Sequence, residues 1–485
     1  MKRNETELKW YEKKAGLTRS RNSPDPKKEN RKNKFTERTD GKIKFNSEKK
    51  YAPKKTALTV YKPDNYLFDI NAIPQDGIKI LNDFGQIIES AYPLNSKQKA
   101  LLPIQIRELS HNLTDERSER RRGYMNQTTA LSAYVRYYTW WNLVRLTRLF
   151  ASLPKDFFSL EKDSVCLDIG SGPLTVPVAL FISRPELRKI PLTWYCMDIS
   201  QNSLSMGENI FLSVAAALKT EPWKIIKVKG EIGTEIKQKA TLVTCANVLN
   251  ELHEDFSLPP DFLAKKYCEK ILSYTDNSPK TKILVIEPGV PKTARLVSLM
   301  RDSFLRKNFV PVSPCTHCSE CPMDGKRGGK WCNYSFATDN APAVLKKLSE
   351  KADLPKERAV LSFFAVQKKT DDEEKDAAQI NSDNTSLRFR IASDPIRLPG
   401  ARTGYYACSD KGLLLVVSAP HLQRHHCRIA AHSFVPDDPG WQMHWTAPSG
   451  GFPASAPHRQ SVRHPQFPAP DIAADRSCAA FRFHR

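Results

Sequence analysis

Apolar and polar positions alternate with two different periods in the middle of the chain. Over residues 163–369, short apolar runs of the kind that form buried strands are separated by longer stretches at helical spacing. This alternation is typical of a parallel sheet with crossover helices. The predicted strands have the sequences SVCLDIG, PLTWYCMDI, IIKVKG, ATLVTCANVL, KILVIEPG and LSFFAVQKK. The pattern predicts an α/β fold with a doubly wound sheet over residues 156–370.

A helical domain is predicted before this sheet, at residues 66–155. The stretch ALSAYVRYYTWWNLVRLTRLFASLP places apolar and aromatic residues at helical spacing, with arginines between them. Aromatic residues in such a pattern usually pack in a core. An upstream basic cluster in LTDERSERRRGY is a candidate RNA phosphate contact, and a solvated helix face is the alternative. The members of this cluster are Arg117, Arg120, Arg121 and Arg122.

The composition changes twice after residue 370. Residues 371–387 are acidic and polar, as in a linker, and residues 388–418 alternate in strand fashion, which predicts a small β module. Lysine does not occur after Lys411, whereas eight of the eleven histidines lie in residues 421–485. We therefore interpret residues 419–485 as a disordered or out-of-frame tail. A histidine-rich metal-binding tail is the alternative.

Charge is concentrated at the start of the chain. The 485 residues carry a formal net charge of +22, and residues 1–55 hold 19 lysines and arginines against 8 acidic residues, so that 19 − 8 gives +11. Residues 1–65 are too polar to bury a core and are predicted to form a disordered basic arm. Such an arm is typical of a polyanion contact, and a solubilising tail is the alternative.

The sequence contains no sign of a membrane span or a secretory signal. It has no apolar run of 18 residues, and its first residues lack a hydrophobic signal region. Glu5, Glu7 and Glu12 are unusual in a mitochondrial transit peptide, which is poor in acidic residues. We expect a soluble, cytoplasmic protein without a membrane partner, and the mitochondrial matrix is the alternative.

A candidate nucleoside-cofactor site follows the first two predicted strands. Asp168 ends one strand, Gly170 and Gly172 follow it before a helix, and Asp198 ends the next strand. Glycines let the backbone approach a ligand, and a carboxylate at the second strand end can accept hydrogen bonds from ribose hydroxyls. Asn247 follows a later strand, at the same predicted edge of the sheet. The alternative is a set of structural turns.

Cysteines are clustered near the end of the α/β domain, in a predicted insert at residues 311–336. Cys315, Cys318, Cys321 and Cys332 lie within 18 residues, and Cys408 in the β module is a remote candidate for the same site. Thiolates are ligands of zinc and of iron–sulfur clusters, so this spacing predicts a metal centre. The spacing alone does not separate zinc from iron–sulfur.

The order of these motifs from about residue 97 to residue 418 resembles one family. This is the mitochondrial small-ribosomal-subunit methyltransferase-like family of the Rsm type, which also has bacterial members. The stretches that carry the resemblance are LTDERSERRRGY, AYVRYYTWWNLVRL, LDIGSGPLTVPVAL, ANVLNEL, IEPGVP, the cysteine run ending in WCNYSF, and RFRIASDPIRLPG with YYACSDKG. Each stretch is weak evidence alone, but their combination is specific.

The resemblance implies a class I S-adenosylmethionine methyltransferase fold, which is Rossmann-like, and a role on or with the small ribosomal subunit during assembly. It also implies a 4Fe–4S cluster, with zinc as the alternative metal. The implied ligands are Cys315, Cys321, Cys332 and Cys408, so that Cys318 is spare. The implied cofactor residues are Asp168, Gly170, Gly172, Asp198 and Asn247.

The chain departs from methyltransferase patterns in two respects. Leu174 stands where such enzymes usually have a third glycine, and we expect it to narrow the pocket for the methionine part of the cofactor. The chain also lacks the Asn/Asp-Pro-Pro-Tyr/Phe motif of amino-group methylation. No catalytic residue is therefore named.

These observations lead to two functional hypotheses. The first is a methyltransferase-like protein that uses S-adenosylmethionine and acts on or with small-subunit ribosomal RNA. The alternative is a non-catalytic assembly factor that contains an iron–sulfur cluster. We expect a monomer when the protein is not bound to the ribosome.

Overall fold

The computed structural model describes residues 65–114, 124–252, 258–276, 278–326, 330–370, 387–418, 429–434 and 444–445. The predicted basic arm, apart from residue 65, lies outside the described residues. The same is true of the arginine cluster at residues 117–122 and of the linker at residues 371–386.

Short elements and long helices form the first part of the described chain. A short strand, β1 (Asn65–Leu67), comes before four helices, which are α1 (Gln75–Ala91), α2 (Ser96–Thr114), α3 (Thr128–Tyr134) and α4 (Trp140–Ser152). A π-helical turn, Val135–Thr139, connects α3 and α4 without a break. Such turns widen a helix locally and are frequent at functional sites.

The central sheet has eight strands, which are β2 (Val165–Ile169), β3 (Thr193–Asp198), β4 (Lys224–Lys229), β5 (Leu242–Ala246), β6 (Lys282–Glu287), β7 (Phe309–Ser313), β8 (Tyr334–Ala337) and β9 (Arg358–Lys368). Their order is β4-β3-β2-β5-β6-β9-β7, and β8 pairs with β9. The first five are parallel, whereas β9 is antiparallel to β6, β7 and β8. The predicted α/β class is confirmed, but the sheet is mixed and not wholly parallel.

Helices cover both faces of this sheet. They are α5 (Thr175–Ser183), α6 (Pro185–Arg188), α7 (Gln201–Ala217), α8 (Pro260–Leu272), α9 (Pro291–Leu305) and α10 (Ala343–Lys351). Because side chains alternate along a strand, Cys166 packs into the core on one face and Leu167 into the core on the other. The predicted helical domain shares the first of these cores, since α1, α3 and α4 pack there together with α5 and α7.

A second, antiparallel sheet follows. It contains β10 (Leu387–Ile391), β11 (Ile396–Leu398), β12 (Arg402–Ser409), β13 (Gly412–Ser418), β14 (Ile429–Phe434) and β15 (His444–Trp445). Its order is β1-β14-β10-β12-β13-β15, with β11 beside β12, so that a strand from the start of the described chain completes the module.

Strands β14 and β15 lie in the region for which a tail without packed structure is predicted. β14 pairs with β1 and β10, and β15 pairs with β13. At these two strands the structure differs from the prediction, because strong changes in composition hide the short strand pattern. The other residues of 419–485 lie outside the described residues, and the out-of-frame hypothesis stays a prediction.

Among the helices that the structure describes, none combines the length and the apolar composition that a membrane span requires.

Candidate functional site

The loop between β2 and α5 forms the floor of a cleft at the carboxyl edge of the parallel strands. Gly170 and Gly172 have φ angles of +66° and +52°, in the left-handed region that favours glycine. A Cβ atom at Gly170 would lie 2.0 Å from Cγ2 of Val248, so no side chain fits there. A Cβ atom at Gly172 would meet nothing closer than 3.9 Å. The glycine at 172 therefore leaves the loop backbone open to a ligand.

Leu174 does not narrow this cleft. Its φ angle is +56°, and it is the residue before the first residue of α5. Its side chain is 0% exposed and packs in the core beneath the loop, and it is not among the residues that line the cleft. The expectation of a narrowed pocket is therefore wrong, because the left-handed backbone turns the side chain inward.

Asp168 holds the loop together. Its Oδ1 atom accepts a hydrogen bond of 2.6 Å from the Thr244 hydroxyl, and its Oδ2 atom accepts one of 2.8 Å from the Ser171 hydroxyl. Burial raises the pKa of Asp168 to about 7, and the two hydroxyl bonds oppose this rise. Asp168 thus joins β2, β5 and the glycine loop.

Asp198 connects the same loop to β3. Its Oδ2 atom accepts a hydrogen bond of 2.9 Å from the Gly172 N–H, and its Oδ1 atom accepts one of 2.8 Å from the Ser200 N–H. Burial raises the pKa of Asp198, and these backbone bonds oppose the rise. The structure therefore brings together two predicted site residues that lie 26 positions apart.

The segment after β5 forms the opposite wall, and Glu287 determines its shape. The Glu287 carboxylate is 0% exposed and accepts hydrogen bonds from three successive backbone N–H groups, which belong to Val248, Leu249 and Asn250, at 2.9, 2.8 and 3.2 Å. Burial raises the pKa of Glu287 to about 8, whereas these bonds oppose the rise. Asn247, which starts this segment, has a φ angle of +58° and lines the cleft.

Further lining residues come from places that the sequence did not indicate. The ends of β3 and β4 contribute Ile199, Gly230, Glu231 and Ile232. The helical region contributes Met125, Tyr134, Asn142 and Leu146. Sequence reasoning missed the second set because it depends on how separate helices pack over the sheet, which periodicity does not encode.

Tyr134, the last residue of α3, lines the cleft, and the π turn follows it directly. Its ring stacks on Tyr138, with centroids 5.4 Å apart and an interplanar angle of 25°. Burial raises the pKa of Tyr134, and the carboxylates of Glu251 and Asp198 raise it further. The phenol is therefore neutral at physiological pH and lies in the field of carboxylates from two sides of the cleft.

Four of the five predicted cysteines are found in one neighbourhood, between the insert and the β module. Burial raises the pKa of Cys408 well above its usual value, and Cys321, Cys315 and Cys332 raise it further. Burial also raises the pKa of Cys332, and Cys321 and Cys315 raise it further. Cys318, the spare cysteine of the family pattern, is exposed.

Two arginines fix the insert around these thiols. Arg301 is 1% exposed and donates hydrogen bonds to the carbonyl groups of Ser319, at 2.6 Å, and His317. Arg390, on β10, donates from Nε to the carbonyl oxygen of Pro314 at 2.9 Å. The insert is thus held from both the α/β domain and the β module.

The donor set suits a metal centre, but the arrangement does not yet form one. Within the described residues, no group of three or more His, Cys, Asp or Glu side chains is arranged so that it could hold a metal ion. The predicted RNA contacts at Arg117, Arg120, Arg121 and Arg122 lie outside the described residues.

The strand order and the cleft together define a class. The parallel strands end at one edge, with a glycine loop after one strand and an acidic residue at the end of the next. An antiparallel strand, β9, is inserted between β6 and β7. This is the arrangement of class I S-adenosylmethionine methyltransferases. Residues 163–386 match the family model described as "Mitochondrial small ribosomal subunit Rsm22". This match confirms the resemblance predicted from the motifs.

Three solved structures that are similar to the chain are described as methyltransferases. A SAM-dependent methyltransferase from Geobacter sulfurreducens, in complex with S-adenosyl-L-homocysteine, is 13% identical, with 46% of this chain and 90% of that chain covered and a TM-score of 0.27. A precorrin-6y C5,15-methyltransferase from Geobacter metallireducens is 9% identical, with 44% and 84% covered and a TM-score of 0.26. A SAM-dependent methyltransferase from Thiobacillus denitrificans, in complex with S-adenosyl-L-homocysteine, is 12% identical, with 44% and 92% covered and a TM-score of 0.25.

A search of the curated proteins found no match to the chain.

Proposed function

We propose that this protein binds S-adenosylmethionine and acts as a methyltransferase on, or together with, small-subunit ribosomal RNA. The observation that carries the proposal is the cleft at the carboxyl edge of the sheet, where the glycine loop and Asp198 meet in one hydrogen-bonded unit. The match of residues 163–386 to a small-ribosomal-subunit family supports the ribosomal part. The word "mitochondrial" in the name of that family supports the mitochondrial matrix over the cytoplasm.

The residues of the cleft fit such a cofactor. The open backbone at Gly172 would lie against the cofactor, and the carboxylate of Asp198 would accept hydrogen bonds from ribose hydroxyls with the lone pairs that its two backbone bonds leave unused. Asn247 would contact the part of the cofactor above β5. When bound, the cofactor supplies a methyl group on a positively charged sulfur.

The protein would contribute by position more than by acid–base chemistry. The helical region lies over the cleft through Met125, Tyr134 and Leu146, and these side chains would exclude water and orient an acceptor. No side chain is assigned as a base. Asp168 and Asp198, two of the carboxylates that line the cleft, already hold the loops.

The proposal extends to the thiols between the insert and the β module. Cys315, Cys321, Cys332 and Cys408 would hold a 4Fe–4S cluster or a zinc ion, and the centre would join the β module to the α/β domain. The mutual electrostatic effect of these four side chains supports this. Purified protein should contain about four irons or one zinc per chain. Cys408→Ser should lose the metal, whereas Cys318→Ser should keep it.

Binding and transfer are tested separately. Titration calorimetry should detect S-adenosylmethionine binding, and Asp198→Asn should weaken it by about tenfold. An amide accepts weaker hydrogen bonds than a carboxylate and cannot accept from both backbone N–H groups that Asp198 binds. Asp261→Asn, an exposed change at the start of α8, is the matched control. Immature small subunits should then receive labelled methyl groups from the wild-type protein. Binding without any transfer would contradict the catalytic part of the proposal, and no binding would contradict all of it.

A further inference from the structure

The cleft has an unusual distribution of charge. Four carboxylates line it, from Asp168, Asp198, Glu231 and Glu251, and no lysine, arginine or histidine of the described residues does so. Resting on the proposed function, we propose that this acidic cleft distinguishes the cationic cofactor S-adenosylmethionine from its product S-adenosylhomocysteine, with Glu251 and Tyr134 as the discriminating residues. The site itself is defined by the cavity and the glycine loop, and the charges determine which ligand it prefers.

The two ligands differ in the charge on their sulfur atom. S-adenosylmethionine carries a sulfonium, whereas S-adenosylhomocysteine has a neutral thioether, and both have the same amino, carboxyl and ribose groups. Interactions with the shared groups therefore cancel when the two affinities are compared. Only groups that respond to the charge on sulfur can separate them.

Glu251 and Tyr134 both line the cleft in which that charge would lie. Asp198 lies at the end of β3, and Glu251 follows β5. Tyr134 belongs to the helical region, and both carboxylates raise the pKa of its phenol. The ring therefore lies within the field of carboxylates from both walls. An aromatic face and a carboxylate are both attracted to a cation, and the attraction is stronger in a partly enclosed cleft than in water.

Two of the other three carboxylates, Asp168 and Asp198, are less suitable for discrimination. Asp168 accepts hydrogen bonds from Thr244 and Ser171, and Asp198 accepts them from Gly172 and Ser200, so changing either would change the shape of the loop that holds both ligands. Arg145 acts on the Tyr134 phenol in the opposite sense to the carboxylates, and its guanidinium donates to the Asn142 side chain and to the Val360 carbonyl group. It does not line the cleft.

The experiment compares three ligands by titration calorimetry on the full chain. The ligands are S-adenosylmethionine, S-adenosylhomocysteine and sinefungin, which has an ammonium group near the position of the sulfonium. The wild-type protein should bind the two cationic ligands at least about fivefold more tightly than S-adenosylhomocysteine. Equal or tighter binding of S-adenosylhomocysteine would overturn the inference. This comparison needs no variant, so it remains decisive if a substitution impairs folding.

Two variants then test whether Glu251 causes the difference in affinity between the two ligands. Glu251→Gln keeps the size of the side chain but removes its charge, and it should weaken S-adenosylmethionine binding about tenfold while changing S-adenosylhomocysteine binding less than about twofold. Glu221→Gln, an exposed change just before β4, should alter neither. An equal loss for both ligands in Glu251→Gln would show a structural role and refute discrimination by Glu251.

The outcomes also separate this inference from the proposed function. If neither ligand binds the wild-type protein, the proposed cofactor site itself fails. If both ligands bind with the same affinity, the proposed cofactor site stands and only the discrimination fails.

Discussion

Nε2 of His317 lies 3.1 Å from Sγ of Cys408, although the two residues are 91 positions apart in the chain. Both side chains are buried, one in the cysteine-rich insert and the other on β12. The contact therefore fixes the insert against the β module beside Cys408, against which Cys321 and Cys332 also pack. The contacts that hold the backbone around His317 therefore also help to position these cysteines.

Arg301 is the residue that holds this backbone, and its loss should be costly. Its guanidinium bonds to the carbonyl groups of His317 and Ser319 and pairs with Asp302. Arg301→Met would leave the Asp302 carboxylate and two carbonyl groups without this partner. Because removal of one partner from a buried ion pair is strongly destabilising, we expect the free energy of unfolding to fall by about 3 kcal/mol.

Arg306→Met, at the residue that follows the last residue of the same helix, is the matched control. Its side chain is 64% exposed, and its partner Glu320 is 86% exposed. We expect a change of less than about 0.5 kcal/mol in urea denaturation, since exposed ion pairs contribute little. Similar losses in both variants would show that Arg301 has no special role in holding the insert.

Glu287→Gln should loosen the wall of the cleft after β5. A glutamine has one acceptor oxygen and a donor NH₂ group in place of the second oxygen, so it cannot accept from all three backbone N–H groups that Glu287 binds. We expect a loss of about 1–3 kcal/mol in the free energy of unfolding. Hydrogen exchange of the amides of Val248, Leu249 and Asn250 should become faster.

The control for this change is Glu269→Gln, on the exposed side of α8. It should leave both the stability and the exchange rates of the loop unchanged. Unchanged exchange in Glu287→Gln would mean that the loop keeps its shape without the carboxylate.

The sequence allowed the meeting of Gly172 and Asp198 to be predicted, because parallel strands end at the same edge of a sheet and the residues after them are neighbours. It did not reveal that β9 inserts between β6 and β7, since an apolar run carries no information about strand direction. The helical spacing predicts only a core role for the aromatic residue Tyr134. Its place in the cleft depends on long-range packing, which has no signal in residue spacing.

Lys356 should make the free energy of unfolding depend on pH between about 7 and 10.5. Its Nζ atom lies 5.3, 5.8 and 5.5 Å from the ring centroids of Tyr137, Tyr138 and Trp141. Burial, with a contribution from Arg145, lowers the pKa of Lys356 from 10.5 to about 7. Between these two values the unfolded chain binds a proton that the folded chain does not, so this lysine makes the free energy of unfolding rise as the pH increases from 7 to 10.5.

The comparison with Lys356→Met isolates this effect. Relative to that variant, the wild-type protein should gain stability across the same pH range, measured by urea denaturation at several pH values. Lys351→Met, an exposed change at the end of α10, should run parallel to the wild type. A difference between wild type and Lys356→Met that does not vary with pH would mean that the aromatic rings keep the amine charged against the effect of burial.

Leu174 combines a strained backbone with a well-buried side chain, and the two effects can be separated. Its φ angle of +56° should cost about 1–2 kcal/mol for a residue with a Cβ atom, which glycine would not incur. Loss of its fully buried side chain should cost about 2–5 kcal/mol, so Leu174→Gly should still be destabilising overall.

Leu180, in α5, is equally buried but has a right-handed helical backbone, where glycine costs about 1 kcal/mol more than alanine. Leu180→Gly should therefore be more destabilising than Leu174→Gly by about 2–3 kcal/mol. Equal losses of the free energy of unfolding in the two variants would show that the left-handed conformation at Leu174 is not strained.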